Sequence, residues 1–208
     1  MSMVRLLLIA EPPSCLTEYG RVPISFQVVE RIDVRLLAER AGATSLRALP
    51  VTPPYCKDYD AIPGHHPSEW ARRWDLSKWW FASGYVDERR VGGVAVVIDT
   101  VEMEGAAARS NVAVLWDIRV HPDVRQQGLG RQLLSFAEDH ARSRGTEWMK
   151  AETQDINVGA CRFYARAGYT LMHVNRSAYA QFPDEAQLIW QKRLKRIALD
   201  SRVRDSGH

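Results

Sequence analysis

From residue 112 onward, apolar and polar positions follow two clean periods in turn. VAVLWDIRV alternates over Val112 to Val120. Val112, Val114, Trp116, Ile118 and Val120 fall on one side of a predicted strand, and Ala113, Leu115, Asp117 and Arg119 on the other. A helix is predicted next, from about Gly130 to Arg144. It turns Leu133, Leu134, Ala137 and Ala141 inward and stops at Gly145. WMKAET reads as a strand, and NVGACRFYARAG as a helix ended by Gly168. YTLMHV and AQLIWQK read as closing strands. The order is β-loop-α-β-α-β-β.

The first half has weaker periods. ISFQVVE alternates through Ile24, Phe26 and Val28 and predicts a strand, and DVRLLAERAG predicts a short helix ending at Gly42. LPVTPPYCKDYDAIPGHHPSEW is rich in Pro and polar residues and predicts a long loop, a kind of segment that often carries function. Ser68 is placed to cap a short helix bearing Trp70 and Trp74. KWWFASGY and RRVGGVAVVID predict two strands around VDERR, completed by 112–120 into an antiparallel meander. TVEMEGAAARSN has no period. Residues 1–20 read as an arm or loop, 21–195 as one folded domain, and 196–208 as a basic tail. The fold class is α/β (α+β).

Composition narrows the function. The 208 residues are 46% hydrophobic, enough for one compact domain. A net charge of +3, without interleaved bases and aromatics, argues against nucleic acid as a partner. Cys15, Cys56 and Cys161 lie far apart and predict a reducing compartment with no disulfide framework. The apolar run Leu6 to Ala10 is far too short for a membrane span. These features predict a cytoplasmic protein with no membrane partner. His65, His66 and Cys56 match no zinc spacing, so no metal is expected.

The candidate chemistry centres on RQQGLGRQLL, Arg125 to Leu134, where a strand gives way to a helix. A helix N-terminus has free N–H groups and a positive dipole end, which suit phosphate. Glycines let the backbone approach a ligand, and Arg125 and Arg131 can add charge-assisted bonds. A triphosphate loop needs Lys after the last glycine, where Arg131 stands. A dinucleotide fingerprint needs a third glycine where Leu133 stands.

VLWDIRVHPDVRQQGLGRQLL resembles the acetyl-CoA-binding motif of the GNAT N-acetyltransferases: a strand, an Arg/Gln-x-x-Gly-x-Gly/Ala loop, then a helix. AETQDINVGACRFYARAGY continues the resemblance with an Asn-led helix and Phe-Tyr before Gly-aromatic. The resemblance is good over about 90–193 and loose over 24–89. It implies a central, mixed but mostly antiparallel sheet flanked by helices and splayed between its fourth and fifth strands. It implies acetyl coenzyme A as cofactor. The amides of Gln126, Gln127, Gly128, Leu129, Gly130 and Arg131 would hold the pyrophosphate, and the backbone of Ile118, Arg119 and Val120 would flank the pantetheine arm.

Acetyl transfer to an amine needs a base for the ammonium and an acid for the leaving thiolate. On the second helix Asn157, Cys161, Tyr164 and Gly168 share a face, and Asn157 and Tyr164 stand about 10 Å apart along the axis. The resemblance gives Tyr164 the acid role and Asn157 a cofactor contact, with Cys161 on the same face. The alternatives are a packed core tyrosine and a small buried thiol. Asp117 is the candidate base or amine anchor, with a structural ion pair to Arg119 or Arg125 as the alternative; Glu152 ends the next predicted strand and Asp155 follows it.

ETQDINVGACRFYA and AYAQFPDEAQLIW resemble the streptothricin acetyltransferase branch. Asp58, Asp60 and Asp75 interleave with Tyr55, Tyr59, Trp70 and Trp74, a mixture that suits a cationic amine. The expected substrate set is Asp58, Asp60, Trp74, Asp117 and Glu152. A small-molecule amine is the expected partner, with streptothricin-like antibiotics as one class. A protein lysine or N-terminal acetyltransferase and a non-catalytic acyl-CoA sensor are the alternatives. Many members of the family are homodimers, and the resemblance allows the same here.

Overall fold

The computed structural model describes residues 6–37, 46–98 and 111–194. Nine strands run through these residues: β1 (Leu7–Glu11), β2 (Phe26–Ile32), β3 (Ala48–Lys57), β4 (Trp79–Val86), β5 (Arg89–Val97), β6 (Val112–Val120), β7 (Trp148–Gln154), β8 (Thr170–Asn175) and β9 (Gln187–Arg193). The helices are α1 (Leu16–Tyr19), α2 (Trp70–Arg73), α3 (Leu129–Ser143) and α4 (Val158–Arg166).

Seven strands form one sheet in the order β1-β4-β5-β6-β7-β9-β8. Every neighbouring pair is antiparallel except β6 and β7. That parallel ladder is short: it joins Val112–Leu115 to Trp148–Ala151 and stops. β7 stays paired with β9 up to Gln154. The fourth and fifth strands in sheet order therefore part beyond Leu115, which is the splay the resemblance implies. The edge of β6 that faces β7 is left without a ladder partner from Trp116 on.

α3 packs across β4, β5 and β6 with Leu133, Leu134, Ala137 and Ala141 buried, as its period predicts. A Cβ at Gly92 would stand 2.8 Å from Leu133 Cδ1, so that close approach needs glycine. Opposite this layer, Trp70, Tyr19, Phe81 and Ala95 form a second core, flanked by Trp74, Trp79 and Trp116.

Several expectations change. Residues 7–11 are an edge strand of the main sheet rather than an arm or loop, paired Leu7 to Tyr85 through Glu11 to Phe81. The Pro-rich segment holds β3, which pairs with β2 in a separate two-stranded ribbon. Prolines 50, 53 and 54 fit because the pairing skips from Tyr55 opposite Val28 to Pro50 opposite Glu30, so the stretch between them needs few ladder donors. Ser68 is not the cap of α2: it lies within a 3-10 turn, Pro67–Glu69, capped by His66, whose ring nitrogen accepts from Ser68 N–H, and the N-cap of α2 itself is Glu69, with no side-chain bond. Val34–Leu36 is a single 3-10 turn, and the rest of the helix expected up to Gly42 lies outside the described residues. Most of TVEMEGAAARSN and all of the tail 196–208 also lie outside them.

The alternation expected along β6 breaks. Its register against β5 steps from Leu115 opposite Val96 to Asp117 opposite Ala95, leaving Trp116 as a bulge. A bulge adds one residue to one strand and re-aims the side chains that follow. Leu115, Ile118 and Val120 therefore belong to the α3 side, while Trp116, Asp117 and Arg119 turn together to the side of Tyr19.

Candidate functional site

The splay between β6 and β7 has two faces. On one lie α3 and α4. Gln126 and Gly128 both have positive φ, 63° and 83°, and Gly128 stands at the N-cap of α3 with no side-chain bond to the helix. The first intrahelical bond runs from Gln132 N–H to Gly128 O at 3.2 Å. The amides of Leu129, Gly130 and Arg131 thus have no acceptor within the helix, as an anion cradle requires. A Cβ at Gly130 would make ordinary contacts of 3.6 Å with Phe163 and 3.7 Å with Val120, which puts the mouth of α3 against α4.

Arg125 commits each of its three nitrogens to a backbone carbonyl. Its Nε donates to Val120 O at 2.9 Å, and its terminal nitrogens donate to Ser25 O at 3.1 Å and Pro23 O at 3.2 Å. The expected phosphate ligand is a clamp that ties the end of β6 to the chain before β2. Burial lowers the pKa of its guanidinium. Arg131 donates one long bond, 3.4 Å, to Arg166 O and is otherwise exposed beside the free amides.

α4 carries Tyr164. The ring is buried against Phe163, Tyr169 and Trp190, at centroid distances of 5.2, 5.3 and 6.5 Å. Among the described residues none hydrogen-bonds its hydroxyl, and no sealed side-chain polar atom lacks a partner. The oxygen therefore opens to accessible space. Burial and the nearby charge of Asp117 raise its pKa. The other two residues of the expected face do different work. Asn157 caps α4 by accepting from Ala160 N–H at 3.1 Å. Cys161 is buried against β7, its sulfur 3.4 Å from Thr153 Oγ1, and burial pushes its thiol up to about 12. Cys161 matches the small buried thiol that was its alternative, and the Asn157 oxygen is used as a helix cap.

The second face of the splay gathers polar groups from distant segments. Asp117 accepts from the Tyr19 hydroxyl at 2.5 Å and from Arg119 Nε and a terminal nitrogen at 2.9 and 2.8 Å. Arg119, whose side chain is 1% exposed, also pairs with both oxygens of Asp60, at 2.9 and 3.2 Å, and donates to Val22 O. Burial is the largest influence and opposes its charge, but Asp117, Tyr19 and Asp60 together outweigh it and the net pKa is raised. Of the two alternatives for Asp117, the structure favours the ion pair, and with Arg119 rather than Arg125. Asp58 is exposed and builds the turn by accepting from Asp60 N–H at 3.0 Å. Trp74 stands in an aromatic group with Trp116, 4.8 Å away, and Trp79, 5.9 Å away.

Across the splay on the same face lies Glu152 of β7. It is exposed, and its two oxygens accept from the Tyr179 hydroxyl at 2.6 Å and Gln187 Nε2 at 2.8 Å. Gln154 Nε2 donates to Tyr179 at 2.9 Å, and Tyr59 donates to Gln154 Oε1. Tyr59 belongs to the aromatic and acidic mixture that the sequence marks for a cationic amine, but Tyr19, Gln154 and Tyr179 carry no site expectation. Their partners lie between 25 and 98 positions away, so no local period marks them. No helix of the described residues is long and apolar enough to cross a membrane, and no group of three or more His, Cys, Asp or Glu among them is placed to hold a metal.

The family model described as Acetyltransferase (GNAT) family matches residues 45–169. Streptothricin acetyltransferase A of Bacillus subtilis (strain 168) is 32% identical over 111 residues, which cover 51% of this chain and 64% of that enzyme, less than two thirds of its length. A crystal structure of nourseothricin acetyltransferase has a TM-score of 0.68 at 23% identity and covers 91% of this chain and 99% of its own. A Bacillus anthracis chain solved in complex with acetyl coenzyme A has a TM-score of 0.66 at 19% identity, covering 91% and 99%.

Proposed function

Because the chain belongs to the GNAT family of acetyltransferases, we propose that it moves an acetyl group from acetyl coenzyme A to a primary amine of a small molecule, with streptothricin-type antibiotics as the first acceptor class to test. The observation that carries this reading is one coincidence of place. The free amides of α3 follow directly on β6, the edge of β6 loses its ladder partner beyond Leu115, and Tyr164 of α4 lies close enough to Asp117 of β6 to feel its charge. Those residues fit a long anionic thioester: amides for its diphosphate, a strand edge for its amide-bearing arm, and a proton donor for its sulfur.

When bound, acetyl coenzyme A supplies an activated acyl carbon. The chain's own groups do the rest. The amides at the start of α3 hold the diphosphate, and Arg131 adds charge from the helix surface. Glu152 takes a proton from the acceptor ammonium, directly or through water, so that the free amine attacks. The C–N bond would form as the C–S bond breaks, with Tyr164 giving its proton to the departing thiolate; the second proton of the attacking nitrogen would leave to water, from which Tyr164 regains its own. Asp117 is an anchor in this scheme rather than the base, because its side chain is buried and held by the charge of Arg119, whereas Glu152 is exposed and its donors Tyr179 and Gln187 are neutral. It holds Arg119, and through it Asp60, on the acceptor face.

The test is thiol release from acetyl coenzyme A with the purified chain and a panel of streptothricin, polyamines, aminoglycosides and lysine peptides. Turnover with the small amines and none with peptides is the expected result. Preferential turnover of peptides would replace the acceptor class. Binding of acetyl coenzyme A without turnover of any amine would leave a sensor instead of an enzyme.

A further inference from the structure

The two polar groups on the acceptor face are joined by a single turn, Asp58 to Asp60. Asp60 reaches β6 through Arg119, and Tyr59 reaches β7 through Gln154. Tyr59 is half-buried, with its ring against Phe26 at 5.6 Å. From its hydroxyl a chain of bonds runs in one direction. Tyr59 O–H donates to Gln154 Oε1, Gln154 Nε2 donates to the Tyr179 oxygen, and Tyr179 O–H donates to Glu152 Oε1.

The direction of that chain depends on its first member. An amide group has an acceptor end and a donor end, and only its partners decide which way it lies. With Tyr59 donating, the Gln154 oxygen is held toward Tyr59, and its nitrogen must face Tyr179. Tyr179 then accepts from Gln154 and keeps its own proton for Glu152. Without the Tyr59 hydroxyl, Gln154 is free to reverse. A reversed amide offers its oxygen to Tyr179, draws that proton away from Glu152 and frees the carboxylate to swing.

We propose that Tyr59 is a positioning residue for Glu152: by donating to Gln154 it sets the direction of the hydrogen-bond chain that holds the Glu152 carboxylate at the acceptor face. The proposal rests on the reading that Glu152 accepts the amine proton. It adds a determinant of turnover in the Pro-rich segment, 93 positions before the carboxylate it serves.

Tyr59→Phe removes the hydroxyl and keeps the ring against Phe26. The experiment is a cycle of Tyr59→Phe, Glu152→Gln and the double variant in the full chain, with acetyl coenzyme A and streptothricin as the probe acceptor. Thermal midpoints and acetyl coenzyme A affinity are measured alongside. Tyr59→Phe is expected to lower kcat on the order of tenfold, with acetyl coenzyme A affinity within about twofold of wild type. In the Glu152→Gln background the same change is expected to cost less than about twofold, because residues that act as a unit are non-additive. An unchanged kcat in Tyr59→Phe, or an equal fold loss in both backgrounds, overturns the proposal, the second result pointing to a purely structural role. Full turnover by Glu152→Gln overturns instead the reading on which it rests, whatever Tyr59→Phe does.

Discussion

Tyr164 combines a buried ring with an open hydroxyl. The ring is fixed by Phe163, Tyr169 and Trp190, so the oxygen is placed without needing a hydrogen bond to hold it. Burial, and then the charge of Asp117, raise its pKa above the ordinary value of 10. A general acid works in its protonated form, so a raised pKa extends activity upward in pH. The kcat/KM profile is therefore expected to show no falling limb from this tyrosine up to about pH 10, where an unperturbed tyrosine would be half ionised. Tyr164→Phe is expected to lower kcat by on the order of 10²-fold, with a thermal midpoint close to wild type because the ring contacts remain. A fall of kcat/KM near pH 10 that disappears in Tyr164→Phe would contradict the raised pKa. Asp117 and Arg119 show the opposite case. Sequence offered Asp117 as a base because it stands on the central strand, but a carboxylate shared by a buried guanidinium and a tyrosine hydroxyl has other work.

The entry into α3 is the element most legible in sequence. Its loop, its start and its inward face were all read from Arg125 to Ala141, because helix periods and glycine punctuation are local signals. The role of Arg125 was not legible. Whether a guanidinium meets phosphate or backbone depends on where Pro23 and Ser25 pass, a hundred positions away. The two roles predict different outcomes for Arg125→Lys. Lysine keeps the charge but has no planar fork to serve three carbonyls at once. A clamp predicts that stability falls by about 1–3 kcal/mol in urea unfolding, since buried carbonyls lose their donors. A phosphate ligand predicts little change in stability and a retained salt-sensitive affinity. The glycines separate in the same assay. Gly128→Ala places a Cβ at φ 83° and is expected to cost roughly 1 kcal/mol, whereas Gly130→Ala meets only ordinary contacts in the protein and is expected to leave stability unchanged. The bulge at Trp116 was hidden for a related reason. Alternation in sequence assumes an unbroken pleat, and the step in register is set by β5 across the ladder rather than by β6 alone.

At the scale of the molecule, the β2–β3 ribbon is held against the β7–α4 end of the main sheet by side chains from segments far apart in sequence. Ile32 N–H donates to Asp155 O at 2.9 Å, and Arg31 grips the Asp155 carboxylate at 2.6 and 2.9 Å. Lys57 pairs with Glu185 at 2.5 Å and lies 3.5 Å over the Phe182 ring. These contacts carry the Asp58–Asp60 turn to the splay, so the acceptor face exists only when the ribbon is docked. Asp155 is the centre of that docking. It is fully buried, and its second oxygen accepts from Ala186 N–H at 2.8 Å. Asp155→Ala leaves the Ala186 backbone donor unsatisfied and Arg31 without its carboxylate, though still bonded to Asp184 O, and is expected to destabilise the chain by about 3 kcal/mol. Glu30 and Arg162 also link ribbon to α4, but both are substantially exposed, so Glu30→Ala is expected to stay within about 0.5 kcal/mol of wild type. Urea unfolding of the two variants measures the contrast. If docking is what assembles the acceptor face, Asp155→Ala also loses more affinity for the amine than for acetyl coenzyme A, whose amide cradle belongs to α3. Equal losses of both affinities would mean that the ribbon supports the whole fold and not the acceptor face in particular.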